Sequence, residues 1–211
     1  MPGKERPPDS STDTESLVAR RRRLVQDEIG QQAMDLFVER GFDRVSVDDI
    51  AAATGMSQRS FFRYFASKDD ILLRYQQRLH ERLCRAFAAR PEDEPAVTAL
   101  RSAYLSTSTV PPTARADVHR LAQVLAGAPA LWARALGNVV VGGAEPAIEL
   151  ARRMGVPATD PRPRVIAAAM GAGVATAWND WVRSDGSADP SDGIAAALDL
   201  LDLERWNGRT P

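Results

Sequence analysis

Residues 46–65 read Ser46-Val47-Asp48-Asp49-Ile50-Ala51-Ala52-Ala53-Thr54-Gly55-Met56-Ser57-Gln58-Arg59-Ser60-Phe61-Phe62-Arg63-Tyr64-Phe65 and contain two helix starts. Ser46 offers its hydroxyl to the first turn of a helix, Asp49 three residues on completes a capping box, and Gly55 ends that helix. Ser57 caps a second short helix, on which Phe61 and Phe65 stand one turn apart on the same face. Helices over 47–54 and 58–65, joined by a three-residue turn around Gly55 and Met56, have the proportions of a helix-turn-helix. Short helix pairs are common in α-proteins, so the residues must add the rest. Gln58, Arg59, Ser60 and Arg63 sit at the N-terminal end and on the outer side of the second helix. Glutamine and arginine can each make paired hydrogen bonds to adenine and guanine edges, and an N-terminal position is where a recognition helix meets bases.

Before this segment, Val25, Ile29, Ala33, Leu36 and Phe37 recur at helical spacing and Gly41 follows Arg40, giving a first helix of about five turns. Ser67 with Asp70 opens a long amphipathic helix from Lys68 to about Ala89, which Pro91 stops. Helical signals continue over 95–107, 113–126, 129–153, 163–183 and 191–204. Gly142, Gly143 and Pro146 interrupt the third of these and predict a kink. No alternating β pattern and no tandem repeat is found, so the expected class is all-α with about nine helices. Residues 1–19 are rich in Pro, Ser, Thr, Asp and Glu and read as a flexible arm. The expected division is that arm, a DNA-binding head over 20–66 and a helical body over 67–211.

Composition excludes several function classes. The 211 residues are 44% apolar and 26% charged, enough for a proper core in a small head and a larger body. No run approaches the ~18 uncharged apolar residues of a membrane span, and the polar start does not resemble a secretory signal, so a cytoplasmic protein is expected. A lone cysteine, Cys84, excludes an internal disulfide and a multi-cysteine zinc site; no metal or cofactor is expected. Charge is uneven: residues 20–90 carry fourteen basic and ten acidic groups, whereas 91–211 carry eleven and fourteen. The basic excess lies where a polyanion would be read. Catalysis lacks the means: there are two histidines, His80 and His119, and no phosphate-cradling glycine loop. The pairs Asp48-Asp49 and Asp69-Asp70 fall at helix N-termini, where acidic residues favour the dipole. An enzyme is therefore disfavoured, and redox sensing through Cys84 stays open as an alternative mode of regulation.

From Ala33 to Leu72 the chain resembles the DNA-binding head of TetR-family regulators, through Leu36-Phe37, Gly41-Phe42, Ser46-Val47, Asp49-Ile50-Ala51, Gly55-Met56-Ser57, Phe61-Phe62, Tyr64-Phe65, Ser67-Lys68-Asp69 and Leu72. The resemblance implies a three-helix head, a ligand-binding helical body, a homodimer on a palindromic double-stranded operator, and in most members repression released by a small molecule. Activation of transcription from the same head is the open alternative. Two positions depart from the family: Arg59 stands where Gly is common, adding a base or phosphate contact, and Phe62 replaces Tyr, removing a hydroxyl and leaving a ring for packing. Lys68 lies in the first turn of its helix, where a cation opposes the dipole, so an approaching phosphate beside Tyr64 would favour it. An acidic neighbour is the other reading. Arg20 to Arg23 are read either as a solvated face or as backbone and minor-groove contacts. The expected DNA-contacting set is Arg23, Ser46, Ser57, Gln58, Arg59, Ser60, Phe62, Arg63, Tyr64 and Lys68.

In the body, Ala168, Ala172 and Ala175 let a second helix approach closely, and Ile194, Leu198 and Leu201 form one stripe. The resemblance implies that these two last long helices pair with their copies across a four-helix dimer interface. Phe87, Tyr104, His119, Trp132, Asn138, Trp178 and Asn179 are the candidate lining of an effector pocket. The stretch Trp178-Asn179-Asp180-Trp181 and the alanine-rich body are similar to actinobacterial members proposed to sense acyl chains or acyl-coenzyme A.

Overall fold

A computed structural model describes residues 16–127 and 144–201. Within them nine α-helices and no strands are found: α1 Leu17–Arg40, α2 Val47–Ala53, α3 Gln58–Phe61, α4 Lys68–Ala88, α5 Ala96–Ser108, α6 Arg115–Ala126, α7 Ala144–Met154, α8 Pro161–Arg183 and α9 Pro190–Asp199. Single 3₁₀ turns at Phe42–Arg44 and Pro112–Ala114 join neighbours. The helix ends follow local chemistry. Ser16, Ser46, Ser57 and Ser67 each accept a backbone N–H from the first turn of the helix they precede, a contribution of about 1 kcal/mol apiece. Gly41 and Gly55 take φ of +86° and +65° to turn the chain out of α1 and α2, which a side chain would resist.

Three boundaries differ from the sequence reading. α1 starts at Leu17, so the last residues of the expected arm are helical; residues 1–15 lie outside the described residues. α3 is one turn long rather than two, and tight turns carry the chain on through Tyr64. α9 ends at Asp199 instead of 204. Pro146 lies in the first turn of α7, where a helix has no partner for the N–H that proline lacks; the part of the expected 129–153 helix before Ala144 lies outside the described residues.

Two apolar cores result. The head core gathers Ile29, Ala33 and Phe37 of α1, Ile50 of α2, Phe61 and Phe65 around α3, and Ile71 and Leu72 of α4. The body core gathers Leu83 and Phe87 of α4, Val97 and Leu100 of α5, Leu150 of α7, Ile166 and Met170 of α8, and Ile194 and Leu198 of α9. α4 thus enters the head with its first turns and the body with its last. α6 is a second tie: Leu125 packs into the head core, while Ala122 packs on Trp181 and Val182 of α8. The far end of α4 is held by Arg153 of α7, whose side chain is 1% exposed. Its guanidinium donates to the carbonyls of Phe87, Arg90 and Pro91, pairs with Glu149 at 2.8 Å and stacks over the Phe87 ring. A cation at a helix C-terminus answers both the dipole and the unpaired carbonyls there.

Candidate nucleic-acid interface and ligand cavity

The outer face of the head is built from the two capped turns. Gln58, Arg59 and Arg63 are solvent-exposed and Ser60 is half-buried. Ser57 and Ser46 are exposed, their hydroxyls engaged in capping. Asp49 accepts from the Ser46 hydroxyl and backbone N–H, which with nearby Arg40 hold its carboxyl below the usual range. Phe62 stands 50% exposed, its ring edge-on to Phe61, while Phe61 and Phe65 stack at 5.7 Å inside the core. An apolar ring held half in water on this face is available to a thymine methyl or a deoxyribose.

Two tethers fix the end of the recognition segment to α1. Arg22 donates to the Arg63 carbonyl at 3.0 Å, and Gln26 donates to the Tyr64 carbonyl at 2.9 Å. Part of the arginine run is therefore structural, a use that neither sequence reading of it anticipated; Arg23 lies exposed one residue on. Tyr64 is half-buried against the head core, with the Arg63 guanidinium 5.9 Å from its ring centre. Lys68 has partners that neither reading of its charge named. Its Nζ donates to the carbonyls of Phe42 at 2.9 Å and Val45 at 3.1 Å and lies 4.4 Å from the centre of the Phe42 ring. An ammonium has three N–H donors, so one remains for a phosphate. Beside it an open groove of about 550 Å³ runs between the starts of α2 and α4, lined by Arg44, Ser46, Val47, Phe62, Ser67 and Lys68 among others.

A second cavity, of about 560 Å³, lies where head meets body. Tyr75, Leu79 and Arg82 of α4, Thr107 to Pro111 after α5, Val118, Ala122 and Leu125 of α6, and Trp178, Asn179, Val182 and Arg183 of α8 line it. Of the expected pocket residues, Trp178 and Asn179 are here. Phe87 and Tyr104 are not, because both are spent on the body core, where burial pushes the Tyr104 phenol up to about 12. His119 is not there either: it is buried against the end of α8, Nε2 lying 3.2 Å from the carbonyls of Trp181 and Val182, with Gly186 passing tightly over its ring. Trp132 and Asn138 lie outside the described residues. Tyr75, Leu79 and Arg82 of α4 and Val118 of α6 are lining residues that sequence reasoning missed; the amphipathic face of α4 was a signal for the first two alone.

The expected dimer stripe divides in the same way. Ala168 and Ala172 are exposed and Ala175 half-buried on α8, beside exposed Val165. Ile194 and Leu198 are instead sealed inside the protomer's own core, with Leu201 packed against it. Cys84 is half-buried on α4; burial and a hydrogen bond that the thiol donates to the Glu145 carboxylate push the thiol up to about 12. A sulfur kept protonated is a poor redox sensor.

Residues 29–75 match the family described as bacterial regulatory proteins, tetR family, and residues 94–204 match the MftR C-terminal domain. The chain is 32% identical over 203 residues to the putative mycofactocin biosynthesis transcriptional regulator MftR of Mycobacterium tuberculosis, covering 92% of this chain and 98% of that protein. The protein belongs to the TetR family. It is a transcriptional regulator with a helix-turn-helix, and not an enzyme. Among solved structures, the TetR-family repressor FadR of Thermus thermophilus in complex with lauroyl-CoA is similar in fold, with a TM-score of 0.55 and 21% identity over 88% of this chain and 97% of that one. A putative TetR-family regulator from Syntrophomonas wolfei gives a TM-score of 0.61 and 20% identity, covering 86% and 95%. No helix of this TetR-family chain, among the described residues, is long and apolar enough to cross a membrane.

Proposed function

We propose that this TetR-family regulator is a homodimeric repressor of a palindromic operator, released by an effector with an apolar or acyl chain and an anionic head. One observation carries the reading: the cavity between α4, α5, α6 and α8 is walled by the two helices, α4 and α6, that also pack into the head core. An effector that favours a shifted α4 changes the separation of the two recognition segments, and operator affinity falls as far as the effector discriminates between the two arrangements. The cavity volume is within the ordinary range for a small-molecule site. Its apolar wall of Tyr75, Leu79, Val118 and Trp178, with Arg82 and Arg183 at the lining, suits an amphipathic anion.

In the head, Gln58, Arg59 and Ser60 read bases, with Arg63, Tyr64, Lys68, Ser46, Ser57, Phe62 and Arg23 positioning the backbone. One recognition segment reads too few base pairs alone, and a two-fold dimer through the Ala168, Ala172 and Ala175 face of α8 doubles them. The test selects random duplexes on the protein, then follows release of the recovered operator by fluorescence anisotropy against lauric acid and lauroyl-CoA. A palindrome released by an acyl probe is expected. Recovery of no palindrome sinks the operator reading. Binding of an acyl probe without change in operator affinity sinks the effector reading.

A further inference from the structure

His80 and Cys84 stand one turn apart on α4, and Glu145 in the first turn of α7 packs against the same face. The Cys84 Sγ lies 3.5 Å from His80 Nε2, that nitrogen lies 3.5 Å from a Glu145 carboxylate oxygen, and the three ligand atoms all lie within 4.8 Å of one another. Sulfur and carboxylate face the same ring nitrogen. In a nucleophilic triad the acid would hold the other nitrogen and the sulfur would face the first, so this is not the geometry of a proton relay. A single ring nitrogen carries at most one proton to share between the two. Three lone-pair donors converging on one point is instead what coordination requires.

The two 3.5 Å separations from the His80 nitrogen agree with a small ion at that point. Bonds of ~2.3 Å to sulfur and ~2.0–2.1 Å to nitrogen and oxygen, set at tetrahedral angles, place the ligand atoms about 3.3 to 3.6 Å apart. A thiolate, an imidazole and a carboxylate together suit a borderline cation and are a poor set for calcium or magnesium, which take oxygen ligands. Access is open from one side, because the Glu145 side chain is 65% exposed while that of His80 is 21% exposed. Three protein ligands leave a fourth position for water.

We propose that His80, Cys84 and Glu145 bind one Zn²⁺, or a similar divalent transition metal, between α4 and α7. The sequence reading expected no metal, having excluded a multi-cysteine zinc site; this site needs a single thiolate and draws its third ligand from 61 residues further along the chain. The ion displaces the thiol proton, which goes to solvent or buffer. It also fastens α7 to the helix that the head and body share, a consequence for operator affinity that rests on the regulator reading above.

The site is tested on the full chain, treated with a chelator and freed of it, by titration with Co²⁺. One equivalent per chain is expected to raise a thiolate-to-cobalt absorption band in the near ultraviolet, which added Zn²⁺ then abolishes. Cys84→Ser is expected to lose the band. His80→Gln and Glu145→Gln are expected to weaken binding by more than the ~10- to 100-fold typical of losing an outer partner of a ligand. Glu145→Gln is a surface change and keeps the fold, so a second readout stands on it: Zn²⁺ slows alkylation of Cys84 in the parent chain and not in this variant. No cobalt band, or an alkylation rate indifferent to Zn²⁺ in the parent, overturns the proposal. So does a band of undiminished affinity in both His80→Gln and Glu145→Gln. Because these readouts need no DNA, they hold or fail separately from the operator reading.

Discussion

The head and the body bury comparable apolar side chains but expose their chemistry in opposite ways. The head turns outward: its cap serines, Gln58, Arg59 and Arg63 project from twenty consecutive residues, supported by Phe61 and Phe65 directly beneath. The body turns inward, around a cavity whose walls come from 75–82, 107–126 and 178–183. A surface that must fit a long regular duplex can be made by one local motif, whereas a concavity for a compact molecule needs walls that only tertiary packing brings together. Two helices belong to both, α4 by sharing its length and α6 by sharing its faces.

The largest expected effect tests whether that sharing makes one cooperative unit. Phe61 is fully buried in the head, and Phe61→Ala should cost about 3–5 kcal/mol. All four tryptophans lie in the body sequence, so their fluorescence reports there. Urea unfolding should show the body midpoint falling with the head substitution; an unmoved midpoint would mean that the two cores melt independently. Arg153→Met is the complementary break from the body side, leaving the carbonyls of Phe87, Arg90 and Pro91 without their cation and Glu149 with Arg152 alone, and about 1–3 kcal/mol of stability should be lost by the same measurement.

Function separates the regions more sharply than stability. Arg59→Ala is expected to relax base preference by about 1–3 kcal/mol at the position it reads, while leaving any effector response intact. In a repeat of the duplex selection, an unchanged consensus would refute the base-reading assignment. Val118→Phe, which intrudes on the cavity from α6, is expected to do the reverse: operator affinity within about threefold of the parent and loss of acyl-induced release in anisotropy. Release persisting at parental concentrations would place the effector elsewhere.

The smallest effect concerns acid. Asp49's carboxyl is lowered in the folded head by its hydrogen bonds from Ser46, so its contribution is present above the ordinary carboxylate pKa and is lost as pH falls through the lower folded value. Asp49→Asn should therefore narrow the difference in melting temperature between pH 7 and pH 3. An unaltered difference would show that the capping box does not sense acid.

How much of this could be read from the chain depends on distance along it. The caps at Ser46, Ser57 and Ser67 were legible because donor and acceptor are three residues apart, and the aromatic pair Phe61 and Phe65 because one helical turn separates them. Lys68 was not, since the carbonyls it serves belong to Phe42 and Val45, more than twenty residues back. Ile194 and Leu198 could not be assigned because an apolar stripe has the same spacing whether a partner or the protomer itself covers it. The cavity was the least legible, its lining scattered over three stretches of sequence. Arg22, Gln26 and Arg153 look like any charged or polar residue on a helix until the carbonyls they reach are known.

The 21 residues of α4 also set a rule for splicing. Ile71 and Leu72 face one core and Leu83 and Phe87 the other, so their angular offset is fixed by the number of residues between them. Inserting one residue would rotate everything downstream by about 100° and slide it about 1.5 Å. A hybrid joining this head to another body should therefore tolerate a junction within α4 only when the spacing is kept or altered by nearly whole turns. Heads and bodies of this construction can be exchanged as parts only if the thread of the shared helix stays in phase.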